Sequence, residues 1–181
     1  MSLETFIEEG FVPPEKPVYL SDEEYSRALS TFVVGCSDVI GLCEGKLFFA
    51  KRKAEPISDW WMIGGRMQFG ETPEKSAARC FKRETGLDFK PEDFKKFAAY
   101  IVVLKMRAQE PQNAGAHYIT VVHALKVERE QIESFKLDKE EYTGETMLLL
   151  PDEVVTMADS GKLHPAFKMI VRDLKASGLV P

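Results

Sequence analysis

The chain has 181 residues, a formal net charge of −5 and 44% hydrophobic residues. This length is typical of one domain with a small extension, and the apolar content is sufficient to build a buried core. The acidic balance argues against a nucleic-acid coat protein or a general membrane-surface binder, so an anionic ligand must meet positive charge that is concentrated locally.

Three features of the sequence predict a cytoplasmic protein with no membrane partner. No apolar run reaches the length of a transmembrane helix. The N-terminal stretch MSLETFIEEG is acidic and does not resemble a signal peptide. Three cysteines without a CxxC pair fit a reducing compartment, in which thiols stay free and mostly buried.

Residues 1–30 are expected to form an N-terminal extension to a domain of residues 31–181. Prolines before residue 20 favour an extended arm. Ser21 is followed by three acidic residues, which predicts a capping box and hence a short helix that ends near Ser30. Three roles stay open for this extension: it packs on the domain, it contributes to a dimer interface, or it covers the active site.

The first strands are predicted next. The apolar, β-branched residues 31–42 predict a core strand, and residues 46–53 predict the strand that returns after a hairpin turn. Asp38 lies inside the first of these strands. It is either a polar residue at an edge or bulge, or a carboxylate that contacts a nucleotide base or a sugar.

A basic tripeptide, Lys51 to Lys53, ends the second strand. Such a run is either a solvated strand end or a phosphate contact, and Arg52 is the candidate for that contact. Residues 60–63, WWMI, then predict a short strand that leads into a pair of glycines. The two tryptophans are more typical of core and cleft wall than of ligand stacking.

Residues 64–87 read GGRMQFGETPEKSAARCFKRETGL and hold three glutamates and three arginines. Thr72 as a hydroxyl cap and Pro73 at the first helical position predict the start of a helix, and Gly86 predicts its end. We therefore expect a loop, a helix over residues 73–85 and a second loop.

The spacing of glycines and charges in this stretch follows the pattern of a known family. Five residues separate Gly65 from Glu71, seven separate Glu71 from Arg79, and Glu84 stands two positions before Gly86. In this frame the chain resembles the Nudix hydrolase superfamily.

The resemblance implies an α/β protein with the Nudix α/β/α sandwich, a mixed β-sheet between helices, and here an N-terminal helical extension. It covers roughly residues 31–176. Outside the segment of residues 65–87 that follows the family spacing, which we call the box, it rests on the order of the elements. Arg79 is expected to orient Glu71 rather than to touch substrate. The expected catalytic set is Glu71, Arg79, Glu84 and a late-loop residue, Glu141.

Two glutamates of the family box are missing, because Cys80 and Arg83 stand in their places. Residues 80 and 84 share one helix face, and in the full pattern that face carries carboxylates for one or two hard divalent cations. A single carboxylate, Glu84, implies fewer metals or weaker binding. Arg83 is expected on a solvated face or paired with an adjacent acid, and Cys80 as a small, partly buried thiol.

Two long strands are predicted over residues 97–106 and 116–127, and the polar loop between them is long enough to border a substrate site. His117 opens the second strand beside this loop, where it is either structural or part of the site. His123 is expected to be structural.

The acidic stretch LDKEEYTGE resembles the late Nudix loop that supplies a further metal ligand or a catalytic base, and Glu141 is the candidate there. It leads into a strand predicted over residues 147–150. Short helices are expected over residues 128–135 and 152–157, and a terminal helix over residues 166–177 presents an apolar face to the core.

The box also resembles that of the GDP-mannose mannosyl hydrolase branch, which lacks the same glutamates and has arginine after the glycine pair. That branch cleaves at the sugar carbon and leaves an intact diphosphate. Carried over, the resemblance implies that Gly64, Glu84 and Glu141 hold Mg²⁺ (or Mn²⁺). The branch has a histidine base where Tyr142 stands, and tyrosine is a poor base at neutral pH.

The same resemblance implies the substrate contacts. Arg66 and Arg52 would grip the diphosphate, Asp38 would contact the guanine or the sugar, and His117 would line the site. Another group, such as Glu140 or Glu145, would have to replace the missing base.

Three hypotheses follow. The first is a metal-dependent hydrolase of a nucleoside diphosphate-linked compound, in particular a nucleotide sugar, favoured by the retained Glu71, Arg79 and Glu84. The second is a non-catalytic Nudix ligand-binding module, favoured by the two lost carboxylates. The third is a dimeric scaffold or regulatory protein, supported by the N-terminal extension. The expected partners are a nucleotide or nucleotide sugar and a second copy of the chain, with no nucleic acid.

Overall fold

The computed structural model describes residues 4–181, so the first three residues of the expected extension lie outside it. Within this range no helix combines the length and apolar character needed to cross a bilayer. The elements in chain order are α1 (Asp22–Thr31), β1 (Val34–Cys43), β2 (Lys46–Arg52), β3 (Trp60–Trp61), β4 (Ile63–Arg66), α2 (Pro73–Thr85), β5 (Lys95–Leu104), β6 (Ala116–Lys126), α3 (Arg129–Glu133), β7 (Tyr142–Leu149), α4 (Pro151–Asp159) and α5 (Ala166–Ala176).

The strands form one mixed sheet of seven strands. Its main path runs β3-β2-β1-β6-β5, while β4 pairs with β1 and β7 pairs with β2. The pairing of β1 with β6 is parallel, and β1 pairs antiparallel with both β2 and β4. This mixed sheet between helices confirms the α/β sandwich predicted from the sequence.

Side chains alternate between the two faces of the sheet and build a separate core on each face. On one face Phe48 belongs to the core that includes Phe81 of α2. On the other face its neighbour Phe49 packs against Phe167 of α5, with ring centroids 4.9 Å apart. Helices α2 and α5 thus cover opposite faces, which explains why β2 is buried along most of its length.

Helix α2 has the bounds predicted from its capping residues. The Thr72 hydroxyl accepts a hydrogen bond from the backbone N–H of Lys75 at 3.3 Å and so satisfies a free donor of the first turn. At the other end Gly86 has a φ of 79°, a conformation that costs glycine little, and its N–H bonds to the carbonyl of Lys82. The Nudix-like box is therefore a loop, a helix and a loop.

The predicted strand over residues 60–63 is instead two short strands. Trp60 and Trp61 pair with β2, whereas the run from Ile63 to Arg66 pairs with β1. The chain changes partner between them, so it cannot continue one ladder. The helix expected over residues 128–135 is also shorter than predicted, because α3 ends at Glu133.

A buried side chain of the loop between β5 and β6 helps to hold helix α1 on the domain. Arg107 is 1% exposed, and its two Nη atoms donate to the hydroxyls of Ser26 at 2.8 Å and Ser30 at 2.9 Å. The Ser26 hydroxyl in turn donates to the carbonyl of Glu110 at 2.6 Å. Of the roles open to the extension, packing on the domain is the one that these contacts support directly.

Candidate active site

A cleft of about 240 Å³ opens on the face of the sheet that α5 also covers. Its floor comes from β1, β4 and β6, and helix α1 and the loop before β7 reach its rim. The apolar part of the lining is Ile57, Trp61, Met62, Val102 and Leu104, and the polar part includes Tyr25, Asp38, Arg52, Arg66, Arg83, Tyr118, Thr120 and Glu141.

Asp38 lies at the bottom of this cleft. It pairs with Gly64 across β1 and β4, and a Cβ atom at Gly64 would lie 2.3 Å from Asp38 Oδ1, so only glycine fits there. The Thr120 hydroxyl donates to Asp38 Oδ2 at 2.7 Å. Burial raises the pKa of Asp38 to about 6, although Thr120 and Arg52 oppose the shift. The carboxyl can therefore accept a hydrogen bond from a ligand or, when protonated, donate one.

Glu71 and Arg79 form the ion pair that the resemblance to the Nudix family implies. Arg79 Nε donates to Glu71 Oε1 at 2.5 Å, and Arg79 Nη2 donates to Glu71 Oε2 at 2.8 Å and to the carbonyl of Arg66 at 3.0 Å. The backbone N–H of Gln68 also donates to Glu71. Burial acts to raise the pKa of Glu71, but these donors hold it below its usual range. Neither side chain lines the cleft, so the pair positions the loop that carries Arg66.

Glu84 is 1% exposed and has both carboxylate oxygens engaged inside the protein. Arg83 Nη2 donates to Oε1, and the Tyr142 hydroxyl donates to Oε2. Burial raises the pKa of Glu84 despite these two donors. The salt bridge between Arg83 and an adjacent acid is confirmed, and Tyr142 serves as the hydrogen-bond donor of this buried cluster. Burial also raises the pKa of Tyr142, which keeps its proton in place.

The late loop reaches the cleft through Glu141. The Lys53 N–H donates to the Glu141 carbonyl at 2.9 Å, which ties the loop to the end of β2. In the side chains, Arg52 Nη2 lies 3.2 Å from Glu141 Oε2. Glu145 instead pairs with Lys51 at 3.0 Å and, like Glu140, does not line the cleft. Glu141 is therefore the acid of this loop that faces the cleft.

Arg66 contacts an aromatic residue of α1 that no sequence motif indicated. Its guanidinium carbon lies 4.5 Å from the ring centroid of Tyr25 in α1, a cation–π arrangement at the cleft wall. The capping box at Ser21 predicts the helix that carries Tyr25, but nothing in that local pattern indicates where the helix docks.

His117 does not reach the cleft, contrary to the sequence expectation. Side chains alternate along β6, and the cleft is lined by Tyr118 and Thr120. His117 therefore lies on the opposite face of the strand, the face on which His123 is buried beneath α2. A substrate contact by His117 finds no support in this arrangement.

The expected metal site, Gly64, Glu84 and Glu141, does not offer the donors that a hard divalent cation requires. Mg²⁺ binds through free carboxylate and carbonyl oxygens in octahedral geometry. Here both oxygens of Glu84 accept hydrogen bonds from protein groups, and one oxygen of Glu141 pairs with Arg52. Across residues 4–181 no three His, Cys, Asp or Glu side chains are grouped so that they could hold a metal. In this arrangement the residues present do not fit the ion.

Comparison with known families identifies one match. The NUDIX domain model matches residues 36–167 of the chain. The matched segment begins after α1 and ends inside α5. No curated protein matches the chain at a significant level.

Several solved structures share the fold at low sequence identity. The MutT protein from Methanosarcina mazei Go1 is 14% identical with a TM-score of 0.61, over 81% of this chain and 95% of that chain. The Caenorhabditis elegans Ap4A hydrolase is 13% identical with a TM-score of 0.51, over 80% and 98%.

A third structure is larger than this chain. It is the bifunctional NMN adenylyltransferase/ADP ribose pyrophosphatase from Francisella tularensis, complexed with AMP and a manganese ion. It is 16% identical with a TM-score of 0.56, over 86% of this chain and 46% of that chain. The chain thus spans about half the length of that enzyme, and at these identities the likeness is one of fold.

Proposed function

The chain belongs to the Nudix hydrolase family, and from this premise we propose that it hydrolyses a nucleoside diphosphate-linked compound, with nucleotide sugars as the substrate class. Water adds across the bond that joins the diphosphate to the second group. The resemblance of the box to the GDP-mannose mannosyl hydrolase branch favours attack at the sugar carbon, which would release the nucleoside diphosphate intact.

The observation that carries the proposal is the grouping of three arginines in one cleft of an acidic chain. Arg52, Arg66 and Arg83 all line one concave site, although the net charge of the protein is −5. Guanidinium groups bind phosphate oxygens through paired N–H donors, so a group of arginines in one cleft suits a diphosphate. We assign the grip on the diphosphate to Arg52 and Arg66.

The remaining lining suits the less charged ends of such a substrate. Asp38 presents a buried carboxyl that can accept from a base N–H or a sugar hydroxyl, and Thr120 fixes its orientation. Tyr25 and Tyr118 offer aromatic surface and hydroxyls at the wall. The proposal therefore keeps Asp38 as a base or sugar contact and replaces His117 by Tyr118.

Glu141 is the proposed general base. It faces the cleft from the late loop and lies beside Arg52, one of the proposed diphosphate ligands. A carboxylate in that place can accept the proton of the attacking water. Tyr142 does not take this role, because its hydroxyl already donates to Glu84.

Members of the family generally use divalent metals. Mg²⁺ or Mn²⁺ at Gly64, Glu84 and Glu141 stays a prediction from the resemblance, and we place no step on it because the donors do not fit.

The homodimer likewise stays a prediction, which the molar mass of the protein under dilution would test. The division into an extension of residues 1–30 and a domain of residues 31–181 also stays a prediction. Tyr25 of the extension lines the cleft, so we propose that the extension contributes to the site.

The second candidate function is a ligand-binding module without turnover. One observation favours it, namely that both oxygens of Glu84 are bonded inside the protein. In that case the cleft would bind a nucleoside diphosphate compound and release it unchanged.

Product analysis by phosphorus NMR separates the two candidates. Purified protein is incubated with a panel of nucleotide sugars, once with Mg²⁺ and once with EDTA. We expect release of intact nucleoside diphosphate, at least a hundredfold slower in Glu141→Gln but unchanged in the matched neighbour Glu140→Gln. Release of monophosphate would mean cleavage within the diphosphate. Binding without any product in either buffer would overturn the hydrolase proposal and leave the binding module.

A further inference from the structure

We propose that the guanidinium of Arg83 takes the place of a divalent metal in this cleft. It blocks access of the metal to the Glu84 carboxylate and binds the diphosphate that the metal would otherwise bind. The part of the proposal that concerns the diphosphate rests on the proposed function. The part that concerns the metal rests on the contacts of Glu84 and of its neighbours, and it does not depend on the proposed function.

The first step is the closure of the carboxylate. Glu84 is the single acid of the box that the α2 face retains, and its oxygens accept from Arg83 and from Tyr142. A metal ion that reached Glu84 would have to displace the guanidinium or lie in contact with it. Because two cations repel each other at that distance, Arg83 and a divalent ion compete for the same carboxylate.

Three side chains near Glu84 could in principle bind a metal instead. Cys80, on the same helix face as Glu84, is fully buried, and burial raises its pKa so that it keeps its proton. Glu141 is paired with Arg52, and Asp38 is bonded to Thr120. Cys80 is thus protonated, and Glu141 and Asp38 each have one carboxylate oxygen engaged by a protein partner.

The third step is the freedom of Arg83 to bind an anion. Its side chain is 51% exposed and lines the cleft together with Arg52 and Arg66. Its Nη2 atom lies 3.5 Å from the position of a Cβ on Gly65, which places the guanidinium against the glycine pair. A guanidinium has five N–H donors, and within residues 4–181 Glu84 is the acceptor that Arg83 uses. The other donors are available to phosphate oxygens.

The charge at residue 83 has the sign that favours an anion over a metal ion. The family box has a glutamate where this chain has Arg83, so the local charge differs by two units, from −1 to +1. A carboxylate there adds affinity for cations, whereas a guanidinium adds affinity for anions. One substitution would therefore remove a carboxylate of the family pattern and add a guanidinium for the phosphate.

The metal arm of the test uses Mn²⁺ alone, followed by electron paramagnetic resonance. We expect the wild-type protein to leave the signal of free Mn²⁺ unchanged at stoichiometric concentration. Arg83→Glu restores the family glutamate and should bind Mn²⁺ at least tenfold more tightly. Lys82→Glu makes the same charge change at an exposed neighbour and should not. Binding of one Mn²⁺ by the wild-type protein that is lost in Glu84→Gln would overturn the proposal.

The anion arm uses inorganic pyrophosphate in EDTA, followed by titration calorimetry. We expect the wild-type protein to bind it, Arg83→Gln to bind it about tenfold more weakly and Lys82→Gln to bind it unchanged. Thermal unfolding of each variant checks its fold. If Arg83→Gln does not fold, Arg83→Lys replaces it, since it keeps the charge but loses the paired N–H donors and should also bind pyrophosphate more weakly. Equal binding by Arg83→Gln and the wild-type protein, or binding that requires added Mg²⁺, would contradict the proposal.

The two proposals fail separately. Pyrophosphate binding that depends on Arg83, with no turnover of nucleotide sugars, would contradict the hydrolase proposal alone. Turnover together with Mn²⁺ bound at Glu84 would contradict the role of Arg83 alone.

Discussion

His123 shows how a buried side chain of the sheet is held in one protonation state. Its Nδ1 lies 3.3 Å from the carbonyl of Asp38 and 3.4 Å from the hydroxyl of Ser37, which itself donates to the carbonyl of Pro73. The proton therefore belongs on Nδ1. The Nε2 atom is buried and has no hydrogen-bond partner within residues 4–181. Protonation of Nε2 would place an unsatisfied donor and a charge in the core.

This arrangement predicts a pH dependence of stability. Burial lowers the pKa of His123, and the nearby Lys96 adds to this while Glu74 and the Asp38 carbonyl oppose it. The unfolded chain therefore binds the proton first as the pH falls below about 6.5. Stability from neutral His123 is present above that pH and is lost as the pH falls through the lowered pKa. The free energy of unfolding of the wild-type protein should drop relative to His123→Gln below pH 6.5, as measured in urea. A constant difference between pH 5 and pH 8 would contradict this.

At this scale the sequence predicted contacts that follow from local spacing. Glu71 and Arg79 pair as the family resemblance implies, and the pairing of Arg83 with Glu84 is a contact between neighbours in the chain. The contact between Tyr142 and Glu84 was not predicted, since 58 residues separate them. The position of His117 depends on which face of β6 meets the cleft, and the strand pattern alone leaves that choice open.

At the scale of elements, α1 contributes to the lining of the cleft although it precedes the matched family domain. Tyr25 brings it to the cleft, and Arg107 holds it there through Ser26 and Ser30. The capping box predicts the helix itself, whereas its docking depends on an arginine far along the chain. Local signals fix where helices start and end, and long-range contacts decide where they lie.

Removal of the Arg107 side chain should release α1. Arg107→Met keeps the bulk but removes the donors to the buried Ser26 hydroxyl and to the Ser30 hydroxyl, so we expect a loss of about 3 kcal/mol in the free energy of unfolding. Hydrogen exchange of residues 22–31 should accelerate, and ligand affinity should fall because Tyr25 leaves the wall. Arg27→Met changes an exposed arginine of the same helix and serves as the control. Unchanged exchange in α1 would show that other contacts hold it.

At the scale of the whole molecule, the site depends on the core beneath it. Trp61 lines the cleft and also packs on Phe167 of α5, with ring centroids 4.9 Å apart. Phe167 in turn contacts Phe49 in the middle of the sheet. The terminal helix thus supports the apolar wall of the cleft from below. The sequence predicted the apolar face of this helix from its periodicity, but not which wall it supports.

Truncation of this support should affect both stability and binding. Phe167 is fully buried, so we expect Phe167→Ala to lower the free energy of unfolding by about 3 to 5 kcal/mol through lost burial and a cavity. Trp61 loses a packing partner, so ligand affinity should weaken as well. Met169→Ala truncates an exposed side chain of the same helix and should change stability by less than about 1 kcal/mol. Urea denaturation measures both variants, and a small effect of Phe167→Ala would mean that α5 does not carry the core.

The arginines of the cleft are proposed to bind a nucleoside diphosphate. The most direct test is calorimetric titration of GDP into the wild-type protein, Arg66→Gln and Arg129→Gln, in buffer with Mg²⁺ so that the result does not depend on the role of Arg83. Arg129 is exposed and paired with Glu44, which makes it a control for the loss of one charge. We expect one site in the wild-type protein, an affinity about tenfold or more weaker in Arg66→Gln, and no change in Arg129→Gln. Absence of binding, or equal binding by all three proteins, would contradict the claim.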